Sequence, residues 1–398
     1  MAKFTSMQSE FNQTHVTPDV ISLAVGQPSP DLLPLEAVQE SLRHTWLAEG
    51  VNPLALQYGA GAGHASFRRA LAAYLQRTTG DEVNADELFL TCGNSHAIAF
   101  ATRLFLHDFD TVIMEDPSYF IATDIFDMSK ARIVGIPVDE EGMDVERLEL
   151  LIRADGVRPR IVYTVPNFHN PTGCTMSTAR RDRLVELARE FQFIILSDEP
   201  YNLLSFEGSE RYPTSLVHHD HTDEGVVLAA GTFSKIFAPG LRLGWIHARK
   251  PLIDRLKRHG SVMSGGGTAP FTAFAMQHLL ETQKLHETVQ KLQVVFARRC
   301  RVLCDALRTH LPEGCTFVEP KGGYFVWVEL PASINAADVL RIAAEKYKTR
   351  FLPGERCGIT LEGKEKVRHC FRLSFAFYTE DELQHAAENM AKAIQELV

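Results

Sequence analysis

Residues 160–199 read RIVYTVPNFHNPTGCTMSTARRDRLVELAREFQFIILSDE, one complete strand–helix–strand unit. The flanking runs RIVYTVP and FIILSDE are short and apolar, as buried strands are. Between them, TARRDRLVELAREF sets Leu184, Leu187, Ala188 and Phe191 at helical spacing, with Ser177 as the expected N-cap. Buried strands joined by helices pair mainly in parallel and are covered on both faces. Ligands and reactive groups then gather beyond the carboxyl ends of the strands.

Working outward, the same alternation begins near residue 85 and repeats through ELFLT, TVIMED, ARIVGIPV, VVLAAGTFS and LRLGWIHA. The expected fold class is therefore α/β with a mostly parallel sheet. From about residue 270 the character changes to long helical stretches, FTAFAMQHLLETQKLHETVQKLQVVFARRCRVLCDALRTHL. The strand-like GGYFVWVEL and CFRLSFAFY follow, then a final helix from Asp381. The expected division is a large domain over residues 51–294 and a smaller α+β domain. The latter is built from an N-terminal arm, 1–50, together with 295–398.

With 398 residues, 45% of them hydrophobic and 23% charged, the chain has enough apolar surface for a large core and is not a disordered composition. The net charge of −9 is spread without a basic stripe, which argues against nucleic acid as a partner. The opening MAKFTSMQSEF lacks the apolar segment of a secretory signal, and no apolar run is long enough to span a membrane. Seven cysteines without paired CxxC spacing give neither a disulfide framework nor a metal site, and reduced thiols suit the cytoplasm. An organelle form trimmed of its transit peptide would read the same way.

Five segments carry chemistry. GTFSKIFAPGLRLGW, residues 231–245, places Lys235 among small, hydroxylated and apolar neighbours, with Arg242 seven positions on. A lysine sheltered this way has a lowered pKa and can attack a carbonyl as the free amine. Thr232, Ser234 and Arg242 are the groups a phosphate needs. In FIILSDEPY, Asp198 stands where an apolar strand stops, and Tyr201 follows three residues later. A buried carboxylate there can hold a heterocyclic nitrogen protonated. In VPNFHNPTG, Asn170 sits in a turn directly after another strand. In LTCGNSHAI, residues Gly93, Asn94 and Ser95 open a helix whose free N–H groups suit an anion, while Tyr119 in MEDPSYF can stack on a ring. In CFRLSFAF, Arg372 alternates with small Ser374 and Ala376, leaving room in front of it for a carboxylate.

Taken together, and in this order along the chain, these strings resemble the fold-type I pyridoxal-phosphate (PLP)-dependent aminotransferases of class I/II, from ISLAVGQPSPDLLP to FRLSFAFY. The look is closer to the branch that includes 2-aminoadipate and kynurenine aminotransferases. The resemblance implies a three-layer α/β/α large domain and ping-pong exchange of an amino group between an L-amino acid and a 2-oxo acid. Lys235 would carry the cofactor as a Schiff base and act as the catalytic base. Asp198 would pair with the ring nitrogen, Asn170 and Tyr201 with the phenolic oxygen, and Tyr119 with the ring face. Arg242, Thr232, Ser234 and the 93–95 turn would take the phosphate, and Arg372 the substrate carboxylate. Gly26, in AVGQPSP, would line the substrate's approach. Tyr58, in LALQYGAGAG, resembles the tyrosine that reaches the phosphate of a neighbouring subunit, which implies a homodimer with shared sites.

Thr232 stands where serine is commoner, and Asn94-Ser95-His96 replaces the family's usual Ser-Gln-Gln. SVMSGGGTAP, residues 261–270, has no arginine where aspartate aminotransferases place one for the distal carboxylate, which disfavours an aspartate or glutamate pocket of that design. Two other readings start from the same residues. One is a PLP-dependent carbon–sulfur (β) lyase. The other is the sensing domain of a transcription regulator, for which residues 1–20 are too short to add a DNA-binding domain.

Overall fold

The computed structural model describes residues 17–47, 56–206 and 213–398, so parts of the expected N-terminal arm lie outside the described residues. Eight strands form the main sheet. Their spatial order is Leu88–Thr91, Gly244–His247, Val227–Thr232, Ile194–Asp198, Pro159–Thr164, Thr111–Asp116, Arg132–Asp139 and Gly142–Met143. All seven apolar runs are strands of this sheet. Five neighbours, from Val227–Thr232 to Arg132–Asp139, pair in parallel. Gly244–His247 runs antiparallel to both of its neighbours. The reason is the short connection from Thr232 to Gly244, because a parallel crossover needs about a dozen residues or more.

Side chains leave the sheet alternately on its two faces. Ile161, Tyr163, Leu196, Leu228 and Ala230 enter a core with Ile98, Phe100, Phe105 and Phe126 of the helices Asn94–Phe105 and Phe120–Met128. Val162, Ile195, Val227 and Ala229 enter the opposite core, against Leu148 and Ile152 of Val145–Arg153 and Leu184 and Leu187 of Thr178–Phe191. This is the three-layer α/β/α arrangement. Ser177 does occupy the N-cap position of Thr178–Phe191, yet its hydroxyl makes no capping bond and is buried without a partner.

The remaining chain builds a second sheet, all antiparallel, in the order Thr316–Phe317, Phe325–Glu329, Cys370–Ser374 and Leu352–Pro353. Ile21–Ser22 pairs with Thr349–Arg350 and ties the start of the described chain to this part. The helix Lys284–His310 runs unbroken through the expected boundary at 294/295 and packs against the last helix, Glu380–Gln395. Its buried side chains, among them Leu292, Phe296 and Leu303, share one core with Leu71 and Tyr74 of the helix Ala65–Thr79 and with Phe371 and Phe375. Among the described residues no helix is long and apolar enough to cross a membrane.

Candidate active site

The carboxyl ends of the parallel strands Pro159–Thr164, Ile194–Asp198 and Val227–Thr232 point the same way, and a cleft opens beyond them. Gly26, Asn94, Ser95, Tyr119, Asn170, Asp198, Tyr201, Thr232, Ser234, Lys235 and Arg242 line it. Those residues come from segments more than 200 positions apart, so the sheet and not sequence proximity assembles them.

Lys235 lies on the short helix Phe233–Ile236, which starts where Val227–Thr232 ends; the Thr232 hydroxyl accepts from the Ser234 N–H and caps it. The Lys235 ammonium donates to the Gly26 carbonyl. Burial, then the positive field of Arg372, brings its pKa down to about 8, and Asp198 partly opposes them. About a tenth of the amine is therefore free at pH 7, far more than for an ordinary lysine, and the free amine is the form that attacks. Tyr324 holds the lysine from the other side, its hydroxyl donating to the Lys235 carbonyl at 2.8 Å.

Asp198 is 3% exposed. Its Oδ1 accepts from Asn94 Nδ2 at 2.5 Å and its Oδ2 from the Tyr163 hydroxyl at 2.8 Å. Burial raises its pKa to about 6, while those two bonds hold it down. At neutral pH it is a carboxylate facing the cleft, with a strong demand for a cationic or protonated partner.

Arg372 is 1% exposed, and among the described residues no carboxylate stands beside it. One Nη donates to Asn170 Oδ1 at 2.8 Å and the other to the Ala24 carbonyl at 2.9 Å, while Nε is buried without a partner. The guanidinium lies 3.9 Å over the Phe325 ring. Burial lowers its pKa from the ordinary arginine value. A buried cation so arranged awaits an anion. Tyr201 packs against Tyr324 and Phe325 in the same wall, and burial drives its phenol well above the usual range. The turn that carries Asn170 is fixed from below. His169 Nε2 stands 3.1 Å from the buried Glu115 carboxylate, and its Nδ1 meets the Thr172 hydroxyl at 2.8 Å.

The far end of the cleft gathers groups able to hold an anion. Gly93, at φ 90°, precedes the helix Asn94–Phe105, whose first turn carries no acidic side chain. Arg242 takes φ 48°, spans the turn to donate to the Cys92 carbonyl at 2.9 Å, and brings its other Nη within 3.4 Å of Ser234 Oγ. A Cβ at position 93 would stand 3.1 Å from the guanidinium, so glycine is needed there for space as well as for its backbone angle.

Three expected site residues fall outside the cleft lining. Gly93 lies behind Arg242, and Arg372 is reached through Asn170. Tyr58 is 80% exposed and packs beside Gly265 instead. The Asn94 side chain turns to Asp198 and the Ala230 carbonyl, leaving only its backbone for the cradle. The sequence reading missed Tyr163, Tyr324 and Phe325. Each sits inside an apolar strand run or next to one, where an aromatic reads as core. The one cluster of metal-ligand types among the described residues, Cys300, Cys304 and Glu319, includes none of the cleft residues, and its Glu319 pairs with Arg308.

Residues 18–390 match the family model for aminotransferase class I and II. The chain is 33% identical over 383 residues to aromatic-amino-acid aminotransferase 1 of Thermococcus litoralis, covering 96% of this chain and 89% of that protein. Among solved structures, a multiple substrate aminotransferase from Thermococcus profundus aligns with a TM-score of 0.87 and 31% identity over 98% of this chain and 95% of that one. The kynurenine aminotransferase of Pyrococcus horikoshii gives 0.86 and 32% identity over 96% and 92%.

Proposed function

The chain belongs to the aminotransferase class I and II family and is a PLP-dependent aminotransferase, and from that premise we propose that Lys235, Asp198 and Arg372 carry the exchange. The residues present fit the cofactor. Asp198 offers a buried carboxylate for a ring nitrogen, Arg242 and the glycine-floored turn at 93 form a cradle for a dianion, and Lys235 lines the same cleft with a lowered pKa. When bound, PLP supplies an electron-withdrawing ring that takes up the charge left when the substrate Cα loses a proton. The chain's own groups do the rest. Asp198 keeps a proton on the ring nitrogen. Arg242, Ser234, Thr232 and the start of Asn94–Phe105 hold the phosphate, and Tyr201 and Asn170 face the phenolic oxygen. Tyr119 covers the ring. The Lys235 amine removes the proton from the substrate Cα and hands it on, its pKa brought down toward working pH while Asp198 is taken up by the ring nitrogen.

The observation that carries this reading is the buried Arg372, whose Nε lacks a partner and whose Nη bonds Asn170, a residue lining the same cleft as Lys235 and Asp198. An α-carboxylate there fixes the amino acid with its Cα toward the lysine. Lys235 and Arg242 are the only cations lining the cleft among the described residues, and Tyr119, Val165 and Tyr201 supply apolar wall. That favours L-amino acids with aromatic or other uncharged side chains, in keeping with relatives named for aromatic amino acids and kynurenine. Absorbance titration of the PLP-loaded protein with a panel of amino acids is the test. The cofactor's visible band should disappear and return on adding a 2-oxo acid; a persistent band with release of ammonia or a thiol would favour lyase chemistry instead.

The active unit in this reading is a homodimer. Tyr58 is exposed, as are Leu47, Met263 and Phe271 on segments that pack together, and Phe271 stacks on Trp46 at 4.7 Å. Tyr58 would reach the phosphate site of the second copy. Sedimentation should give two chains per particle; a monomer with full cofactor affinity would overturn the assignment.

A further inference from the structure

Tyr163 lies in the middle of the sheet, entirely buried, on the strand beside Asp198. Its hydroxyl donates to Asp198 Oδ2 at 2.8 Å, while Asn94 occupies Oδ1. Both carboxylate oxygens therefore already accept one bond each before any ligand arrives. We infer that Tyr163 is a positioning residue that sets how basic Asp198 is toward the cofactor's ring nitrogen, an inference that rests on the proposed function above.

The physical argument is one of competition for lone pairs. A carboxylate that accepts hydrogen bonds loses basicity, since each donor stabilises the ionised form. Burial works the other way and would leave an unassisted Asp198 protonated near neutral pH, unable to meet a pyridinium. The phenol is a neutral donor and is itself held far from ionising by burial, so it contributes a hydrogen bond without adding a charge. The other groups facing the pair are few. Lys235 favours the ionised carboxylate, and the adjacent Glu199 opposes it. Tyr201 lies close by with Arg372 behind it, and Tyr119 and Glu115 face Tyr163 itself. Arg242 acts only through Lys235. None of these donates a hydrogen bond to the carboxylate, which leaves Tyr163 and Asn94 as its only direct donors among the described residues. The Tyr163 ring meets Phe126 edge-on at 5.8 Å, an apolar contact that phenylalanine would keep.

The test uses the full chain freed of cofactor and 4′-deoxypyridoxine 5′-phosphate, an analogue without the aldehyde, so that Lys235 chemistry plays no part. Its dissociation constant is measured against pH for wild type, Tyr163→Phe and Asp198→Asn. Binding of the protonated ring by wild type should weaken on the acid side as Asp198 takes up a proton, and Asp198→Asn should lack that step. In Tyr163→Phe the midpoint should move up by about one to two pH units, the worth of one hydrogen bond to a charged group. Above the midpoint its affinity should be greater than wild type, because the carboxylate is more basic. A tyrosine needed only for packing would instead weaken binding at every pH and leave the midpoint in place; that result overturns the inference and leaves the aminotransferase reading standing. Failure of wild type to bind the analogue at all would overturn the reading itself. Should Tyr163→Phe fold poorly, 3-fluorotyrosine at position 163 gives a stronger donor, and the midpoint should then move down.

Discussion

Replacing Arg372 by methionine keeps most of the side-chain volume and removes the charge, and it should separate substrate binding from stability. In the free protein the guanidinium donates to Asn170 Oδ1 and the Ala24 carbonyl. Losing those two bonds in a buried site costs about 1–3 kcal/mol each. Against this, the variant no longer buries a cation without an anion, whose desolvation is worth several kcal/mol. The two effects are of similar size, so Arg372→Met should unfold near the wild-type temperature. Substrate binding has no such offset. Two charge-assisted bonds to a carboxylate, at about 1.5–3 kcal/mol each, amount to roughly 3–6 kcal/mol, or about a 10²–10⁴-fold loss in kcat/KM. Steady-state kinetics with an amino acid, alongside a primary amine lacking the carboxylate, gives the readout. The amine should react equally well with both proteins. A loss below about tenfold for the amino acid, or an equal loss for the amine, would refute the carboxylate role.

Lys235→Ala should abolish both the cofactor's visible absorbance and turnover; retention of either, by spectrum or assay, removes the lysine from its role. Asp198 holds a folded pKa of about 6 against 3.8 for the ordinary group, so the folded protein binds the extra proton between those values. Its contribution to stability is therefore greatest at low pH and is lost as pH rises through 6, a cost of about 3 kcal/mol at pH 7. Asp198→Asn should make the cofactor-free protein more stable at pH 7 but not at pH 4, by denaturant titration, while weakening PLP binding. Thr379→Ala breaks the capping box with Glu382 at the start of the last helix and should cost about 1 kcal/mol without changing kcat/KM.

The sheet was legible because its strands are apolar for their whole length and their helices show a single apolar stripe. Its one reversed internal strand, Gly244–His247, also follows from sequence once the short link from Thr232 is counted. Lys235, Asp198 and Asn170, which line the cleft, stand out in the sequence because each polar residue follows an apolar run at or just past a strand end, where ligands of a parallel sheet gather. Tyr163 could not. It lies between Val162 and Thr164 in the same run and differs from a core aromatic only in the hydroxyl that meets Asp198. Asn94 was read as part of the anion turn because its neighbours are Gly93 and Ser95, and nothing local reveals a side chain turned to a residue 104 positions away. The helix through position 294 shows the same limit: a change in composition marks a change of sheet, not an interruption of the backbone.

The buried charges also impose an order of events. Arg372 lowers the proton affinity of Lys235 through space, second only to burial. In the proposed arrangement a carboxylate bound at Arg372 would cancel that field, and the lysine would become a stronger base when a substrate Cα is in place to give up its proton. Before substrate arrives, the same field raises the share of the amine that is free. The lysine thus changes character with the occupancy of a group it does not touch. In cofactor-free protein, the rate at which a small aldehyde traps Lys235 should follow an amine titration near pH 8, and a saturating unreactive monocarboxylate should move that midpoint upward. Arg372→Met should show the raised midpoint without the carboxylate and no further response to it. If the carboxylate moves the midpoint equally in both proteins, the coupling does not run through Arg372.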